Sequence, residues 1–352
     1  MVWFAGYTAV VVGPSERRDP VFNWFEGRRV CVTGGAGFIG AHLVQALLRH
    51  GADVSVIDDL SGGDAQRIAQ LVEASGDRLR FVYASILDPV ALHEAMHGAE
   101  VVFHLAAMVS VMQSMSDPDR CFAVNADGTE RIAEAARRAG VRRWVYASSS
   151  AVYGDRAALP LTETGRLDPR SPYAASKAAG EHIVRAWSES YGLAGLSLRF
   201  FNVYGPGQPA HGTYAAMIPA FLAALRAGEA PTIFGDGSAT RDLIYVNDVV
   251  QAILLGASGE LDPGGQAINI GTGRATAVLD VAERLVALCA PERKIRFAPE
   301  REGEVRHSCA DVAAAARLLG FAATTSLDEA LVRTAESFGC PRATAAAAGL
   351  VR

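Results

Sequence analysis

Residues 33–40 read Thr33-Gly-Gly-Ala-Gly-Phe-Ile-Gly40, with Gly34, Gly37 and Gly40 spaced three apart. Before them lies a short apolar run, Arg29–Thr33 (RVCVT). After them, 38–50 places Phe38, Ile39, Leu43, Val44, Leu47 and Leu48 at helical spacing, and Gly51 stops the helix. Glycine is needed where the backbone turns tightly and where a pyrophosphate must approach main-chain N–H groups at a helix start. Asp53–Asp58 (DVSVID) reads as the next strand and sets Asp58 at its end, eighteen residues past Gly40. A carboxylate there can bind the ribose hydroxyls of an adenosine. Asp58 and Asp59 would repel a 2′-phosphate, so the expected cofactor is NAD rather than NADP.

The alternation continues outward from this unit. Strand-like runs fall at Leu79–Tyr83, 101–105, 144–148, 196–200 and 267–270, with helical stretches at 89–96, 128–139 and Pro172–Tyr191 between them. Short apolar strands alternating with helices imply an α/β protein: a doubly wound parallel sheet covered by helices on both faces. Beyond about residue 202 the rhythm breaks into Gly/Pro-rich turns (YGPGQP, FGDGS, LDPGG) and shorter helices, which points to a smaller, interleaved substrate-binding region.

The 352 residues carry a net charge of −5 with no basic stripe, which argues against nucleic acid as a partner. No apolar run reaches the length of a membrane span. Cys31, Cys121, Cys289, Cys309 and Cys340 are scattered and odd in number, so neither a disulfide framework nor a zinc site is expected, and a reducing cytoplasm fits. Residues 1–13 are apolar but lack a basic leader and a cleavage site; they read as an extension or an over-extended start, with a signal peptide as the lesser reading. The chain has 31 arginines and only two lysines, Lys177 and Lys294.

One of those lysines sits in Ser171-Pro-Tyr-Ala-Ala-Ser-Lys177, which opens a helix with Ser171 as its cap and Pro172 in the first turn. Tyr173 and Lys177 are then i and i+4 on one face. A free phenol titrates near ~10, too high for a base at neutral pH, and a neighbouring ammonium favours the phenolate. Upstream, Tyr146-Ala-Ser-Ser-Ser-Ala-Val-Tyr-Gly154 leaves a strand with three serines at its C-terminal end, the edge where such sheets bind ligands. One of these hydroxyls could bond the reacting hydroxyl of a substrate and relay its proton to Tyr173.

The motifs TGGAGFIG, HLAA (104–107), SSSAVYG, YAASK, RFFNVYGPG (199–207) and GDGSATRDLIYV (235–246), in this order, resemble the extended short-chain dehydrogenase/reductases that act on nucleotide sugars. The resemblance spans 29–331 and implies a Rossmann domain at 28–202 with 238–272 returning to it. It also implies a nucleotide-sugar domain from 203–237 and 273–335, an extension at 1–27 and a tail at 336–352. It implies Ser149, Tyr173 and Lys177 as the catalytic set, with Ser148 beside it. For NAD it implies the glycine loop with Phe38 and Ile39, then Asp58, Asp59, Leu105, Ala106, Ala107 and Asn125, besides Tyr173 and Lys177. For the substrate it implies Ser110, Ser149, Ser150, Asn202, Tyr214, Ile218, Arg241, Arg301, Glu304 and Ser308. A homodimer is the family's habit. Two positions depart from the pattern: Ala84-Ser85 replaces a Gly-Asp that meets the adenine, and Val109 replaces a basic residue.

After the catalytic Ser/Thr the family's 4,6-dehydratases carry Asp-Glu, and its glucuronate decarboxylases carry a Glu at the second position. Here Ser150 and Ala151 stand there, so the resemblance points to UDP-sugar 4-epimerases of the UDP-N-acetylglucosamine/UDP-glucose type. Ser308 falls where the family gates the space beside the sugar's 2-substituent, and a serine leaves that space open. The alternatives are a UDP-glucuronate 4-epimerase, another enzyme of the scaffold such as a dehydratase or decarboxylase, and a non-catalytic NAD-binding sensor.

Overall fold

The computed structural model describes residues 23–155, 158–210, 216–259, 264–300 and 305–340. Along the chain come β1 (Arg29–Thr33), α1 (Phe38–Arg49), β2 (Asp53–Asp58), α2 (Ala65–Ser75), β3 (Leu79–Tyr83), α3 (Pro89–Ala95) and β4 (Val101–His104). Next are α4 (Val111–Ser116), α5 (Pro118–Phe122), α6 (Gly128–Arg138), β5 (Arg143–Ser149), α7 (Pro172–Tyr191) and β6 (Ala194–Phe200). The remainder holds β7 (Asn202–Tyr204), α8 (Met217–Arg226), β8 (Thr232–Phe234), β9 (Thr240–Arg241), β10 (Leu243–Tyr245), α9 (Val246–Ser258) and β11 (Gln266–Ile270). Last come β12 (Thr276–Ala277), α10 (Val278–Cys289), β13 (Arg296–Ala298), α11 (Ala313–Leu319) and α12 (Leu327–Ser337).

Seven strands form one parallel sheet in the order β11-β6-β5-β4-β1-β2-β3. The side chains explain why it is covered twice. Val30 and Val32 enter the core on one face, with Val54, Val56, Phe103 and Val145, while Cys31 enters the other with Ile57, Val102, Trp144 and Tyr146. Successive strand residues point to opposite faces, so apolar residues at both parities demand helices on both sides. Strand order reverses between β1 and β4, and the crevice beyond their C-terminal ends is the ligand position of such sheets. The expected bounds of β1, β2, β3 and α7 match the structure residue for residue, whereas β5 and β6 begin earlier, at Arg143 and Ala194.

A second core lies beyond the sheet, where Phe221 and Leu222 of α8 meet Ile233, Tyr245, Leu285 and Leu331. Two expected boundaries fall inside packed structure. Phe25, assigned to the extension, is buried in the Rossmann core 6.4 Å from the Phe103 ring, and Cys340, assigned to the tail, is buried in the second core. All five cysteines are free. Among the described residues no helix is long and apolar enough to cross a membrane.

Asp242, between β9 and β10, ties the chain just past β11 to Ala310. It is fully buried, and its carboxylate accepts from Thr272 N and Oγ1 at 2.7 Å, Gly273 N at 2.9 Å and Ala310 N at 3.0 Å. Its own N–H and C=O face Ser308 and Asn202, since Asn202 N donates to Asp242 O at 3.0 Å.

Candidate active site

The glycine loop sits where the sheet switches direction. Gly34 has φ +72°, and a side chain there would put a carbon 2.6 Å from the Ala106 nitrogen, so the loops after β1 and β4 can approach this closely only with glycine there. At Gly40 a methyl would run into the Gly34 carbonyl oxygen, so α1 can press against its own leading turn only with glycine there. Gly37 caps α1 without any side-chain acceptor, which leaves the first N–H groups to an anion. Ile39 packs against both cores, and Phe38 stands edge-on to His42 with ring centres 5.8 Å apart.

Asp58 has work within the protein as well. Its Oδ2 accepts Ala36 N at 3.0 Å and its Oδ1 accepts Leu60 N at 2.8 Å, so the carboxylate shapes the glycine turn. Each oxygen keeps a lone pair for a ribose hydroxyl. Burial pushes its pKa up, against the pull of those two N–H groups. Asp59 is exposed and accepts Ser61 N. Ser85 accepts Leu87 N, so it shapes the turn into α3. A glycine cradle that any Cβ would fill, an open helix start and a carboxylate at the β2 end together fit a dinucleotide.

The loop after β4, with Leu105, Ala106 and Ala107 half-buried, is held by a directional chain of hydrogen bonds. Thr129 Oγ1 uses its only hydrogen on Asn125 O, so it must accept from His104 Nε2 at 2.9 Å. A neutral His104 then has a bare Nδ1, which accepts the Thr33 hydroxyl at 2.8 Å, and Thr33 Oγ1 accepts Ala106 N. Neutrality follows from burial, which drives the His104 pKa well below its ordinary value, with the charge of Lys177 adding to the effect. An imidazole that cannot charge in the folded state but does in the unfolded one lowers stability on acidification. Folding stability is expected to fall as pH drops below about 6.5, by up to ~1.4 kcal/mol per unit from this one group. His42 and His50, also lowered by burial, act in the same sense. Denaturant unfolding from pH 7.5 to 5.5 reads this out, and His104→Asn should flatten the slope by close to one proton. An unchanged slope in the variant would refute the assignment.

Asn125 lies on a π-helical turn (Ala123–Asp127) and is buried. Its Oδ1 accepts Met108 N at 2.7 Å, and its Nδ2 donates to Met108 O and Ser176 Oγ, both at 3.0 Å. It therefore clamps the 104–108 loop to α7. Ser114, Cys121 and Ser176 join this clamp, and none was singled out from the sequence. Ser114 Oγ accepts Tyr173 N at 3.1 Å, satisfying a free N–H at the start of α7.

α7 begins as its sequence dictates, with Ser171 Oγ capping Ala174 N at 3.1 Å and Pro172 in the first turn. Tyr173 and Lys177 are both buried, and Ser149 stands close enough to the Tyr173 phenol to draw its pKa down. Ser149 also caps the 3-10 turn Ser150–Tyr153 by accepting Ala151 N. The hydroxyl of Ser148 is committed elsewhere, to Glu181 at 2.5 Å. The lysine differs from expectation. Its Nζ donates to Ala147 O at 2.8 Å and lies 4.9 Å over the Tyr146 ring, and burial pulls its pKa down to about 8. Burial also pushes the Tyr173 phenol up, with Ser149 pulling the other way, so the phenol rests neutral. The reason is desolvation: an enclosed site disfavours phenolate and ammonium alike.

On the substrate side, Asn202 is exposed, and Ser308 donates to its Oδ1 across a long 3.4 Å. Arg241 is half-buried and donates to the carbonyls of Thr240 at 3.0 Å and Arg306 at 3.1 Å. Ser110 caps α4 by accepting Gln113 N, and Ser150 is half-buried. Ile218 departs from expectation: its side chain is in the second core beside Phe221 and Leu222, because α8 turns that face inward. Tyr214, Arg301 and Glu304 lie outside the described residues. Among the described residues no cluster of His, Cys, Asp and Glu could hold a metal ion.

Three comparisons bear on this site. The sequence model of the NAD dependent epimerase/dehydratase family matches residues 30–271. A UDP-glucose 4-epimerase of Mycolicibacterium smegmatis is 41% identical over 312 residues, covering 88% of this chain and 98% of that one. Two solved structures superpose on it. A UDP-N-acetylglucosamine 4-epimerase of Methanobrevibacter ruminantium, in complex with UDP-N-acetylmuramic acid, has a TM-score of 0.84 at 34% identity, over 89% of this chain and 98% of that one. A dTDP-glucose 4,6-dehydratase of Streptomyces venezuelae with NAD bound has a TM-score of 0.81 at 32% identity, over 88% and 97%.

Proposed function

Because the chain belongs to the NAD dependent epimerase/dehydratase family, with NAD as its cofactor, we propose that it is a UDP-sugar 4-epimerase acting through a transient 4-ketosugar. Its substrates are the UDP-GlcNAc/UDP-GalNAc and UDP-Glc/UDP-Gal pairs. The observation that carries this is the placement of Ser149 at the C-terminal end of β5 beside buried Tyr173, with buried Lys177 one helical turn on. Bound NAD supplies a two-electron acceptor that returns the electrons, and it brings a positive charge to a site that otherwise holds the phenol neutral.

Tyr173 takes the proton of the sugar 4-hydroxyl as C4 is oxidised, and gives it back when the ketone has turned and is reduced from its other face. Ser149, beside the phenol, orients that hydroxyl and passes the proton across. Lys177 keeps a cation beneath the site through the Ala147 carbonyl. Enclosure excludes water, which protects the ketosugar while it turns. Asn202 and Arg241 hold the diphosphate, joined in the family pattern by Arg301, with Glu304 at the uridine ribose and Tyr214 over the uracil.

The dehydratase reading also has a structural neighbour, and the 3-10 turn favours the epimerase. Elimination across C5 and C6 needs an acid and a base beside the ketone, and this turn presents Ser150 and Ala151 there. Ser308 is buried against Asn202, and the small side chain there, where the family pattern gates the 2-substituent, favours acceptance of an N-acetyl group.

The test is incubation with UDP-Glc, UDP-GlcNAc and UDP-GlcA, no NAD added, followed by separation of the products. Conversion of the first two to their galacto epimers is expected. Released CO2 or a 4-keto-6-deoxysugar would overturn the reaction, and conversion of UDP-Gal but not UDP-GalNAc would overturn the open gate. We further propose a homodimer, supported by exposed Val111, Met112, Met115 and Phe122 along α4 and α5. The same preparation on a calibrated sizing column should run at twice the chain mass.

A further inference from the structure

Glu181 lies one helical turn past Lys177 on α7 and is buried. Its Oε1 accepts the Ser148 hydroxyl at 2.5 Å and Arg199 Nε at 2.8 Å, and its Oε2 accepts Arg199 Nη2 at 2.7 Å. The two side chains of this ion pair are only 5% and 8% exposed. Arg199 Nη1 goes on to donate to the Tyr153 hydroxyl at 2.8 Å, and that hydroxyl donates to Asn269 Oδ1 at 2.6 Å. Asn269 Nδ2 donates in turn to Leu161 O at 2.8 Å.

Three supports of the reacting set meet at this one carboxylate. They are α7 with Tyr173 and Lys177, the end of β5 with Ser149, and, through Arg199 and Tyr153, the 3-10 turn of Ser150 and Ala151. Lys177 and Glu181 grip successive residues of β5, the lysine on Ala147 O and the carboxylate on the Ser148 hydroxyl. Any slide of α7 that parts Tyr173 from Ser149 has to stretch both bonds. Stability alone does not account for the pair, because desolvation offsets much of its attraction and an apolar pair of equal volume often serves as well. Fixed direction does account for it, since a bidentate guanidinium–carboxylate pair sets both distance and plane.

We propose that Glu181 is a positioning residue for the reaction, holding the end of β5 in register with α7 so that Ser149 and Tyr173 stay side by side, without touching substrate itself. This rests on Ser149, Tyr173 and Lys177 being the reacting set. Charge gives it a second signature. Lys177 faces the Tyr146 ring, neutral His104, Cys121, Tyr173 and Glu181. Burial pulls the ammonium down to about 8, while Cys121 and Glu181 hold it up. Without the Glu181 carboxylate, Lys177 should lose its proton at lower pH.

The experiment measures kcat, KM and the pH profile of kcat for the full chain, as wild type, Ser148→Ala and Glu181→Gln, on the UDP-sugars named above. Misplacement of reacting groups by about 1 Å can cost ~100-fold, so Glu181→Gln should lose on the order of 100-fold and Ser148→Ala about 10-fold in kcat, with KM little changed. The alkaline limb of kcat should also move to lower pH in Glu181→Gln. Ser148→Ala keeps the ion pair whole, so it decides the matter alone if Glu181→Gln, with Arg199 unpaired, fails to fold. Folded variants with kcat near wild type and an unmoved alkaline limb overturn the proposal. So does a raised KM at unchanged kcat, which would mean direct substrate contact. A wild type inactive on every UDP-sugar removes the underlying reading and this proposal together; an active wild type with active variants removes the proposal alone.

Discussion

Tyr173→Phe is expected to lose about three orders of magnitude or more in turnover, the upper part of the range for removing a general acid–base group, while NAD and UDP bind as before. The substitution removes one oxygen and leaves the ring in its buried seat. Its backbone N–H still reaches Ser114, and Ser149 still caps Ala151 N, so the start of α7 and the turn after β5 keep their form. What disappears is the phenol hydroxyl that α7 sets beside Ser149. The effect should therefore fall on kcat. Progress curves over a wide range of enzyme concentration, with UDP affinity by calorimetry, check it. Turnover within tenfold of wild type would take Tyr173 out of its role.

Gly40→Ala should remove NAD from the protein as purified and weaken its binding by at least ~100-fold, about 2.8 kcal/mol at ~1.4 kcal/mol per decade. By helix propensity alone the change would be favourable by about 1 kcal/mol, since alanine is the better helix former. Packing reverses the sign. The added methyl meets the Gly34 carbonyl and also crowds the Gly35 Cα at 2.8 Å, both backbone atoms with no rotamer to escape into. Either α1 lifts away or the turn opens, and both separate the phosphate-binding N–H groups from Asp58, which is tied to Ala36 within that turn. Absorbance of the purified protein and titration with NAD measure the outcome. Affinity within threefold of wild type would mean the turn yields more easily than its contacts allow.

Local signals made most of the sheet legible. β1, β2 and β3 end where turn residues interrupt apolar runs, and α7 is bracketed by Ser171-Pro172 and a left-handed Gly192. The glycine loop, Asp58 and the Tyr173–Lys177 spacing were readable for the same reason, because each is set by near neighbours in sequence. Contacts between distant residues were not. Which of Ser148 and Ser149 serves the site depends on Glu181, 33 residues from Ser148. The clamp of Asn125 on Met108 and Ser176 spans 17 and 51 residues, and no period in the sequence announces it. Ile218 came from the resemblance alone, and which face α8 turns into the second core depends on contacts distant in sequence. The rise in the Tyr173 pKa was not readable, since the burial that causes it belongs to the folded molecule only.

The four bonds on the Asp242 carboxylate bear on how such a protein can work at all. They come from Thr272 and Gly273, just past β11, and from Ala310, and they converge beside Asn202 and Ser308. A hinge there would have to break several charge-assisted bonds at once around a buried carboxylate. For the proposed inversion at C4, in which something must rotate, a seam held this firmly leaves the turning to the bound sugar rather than to the chain around it.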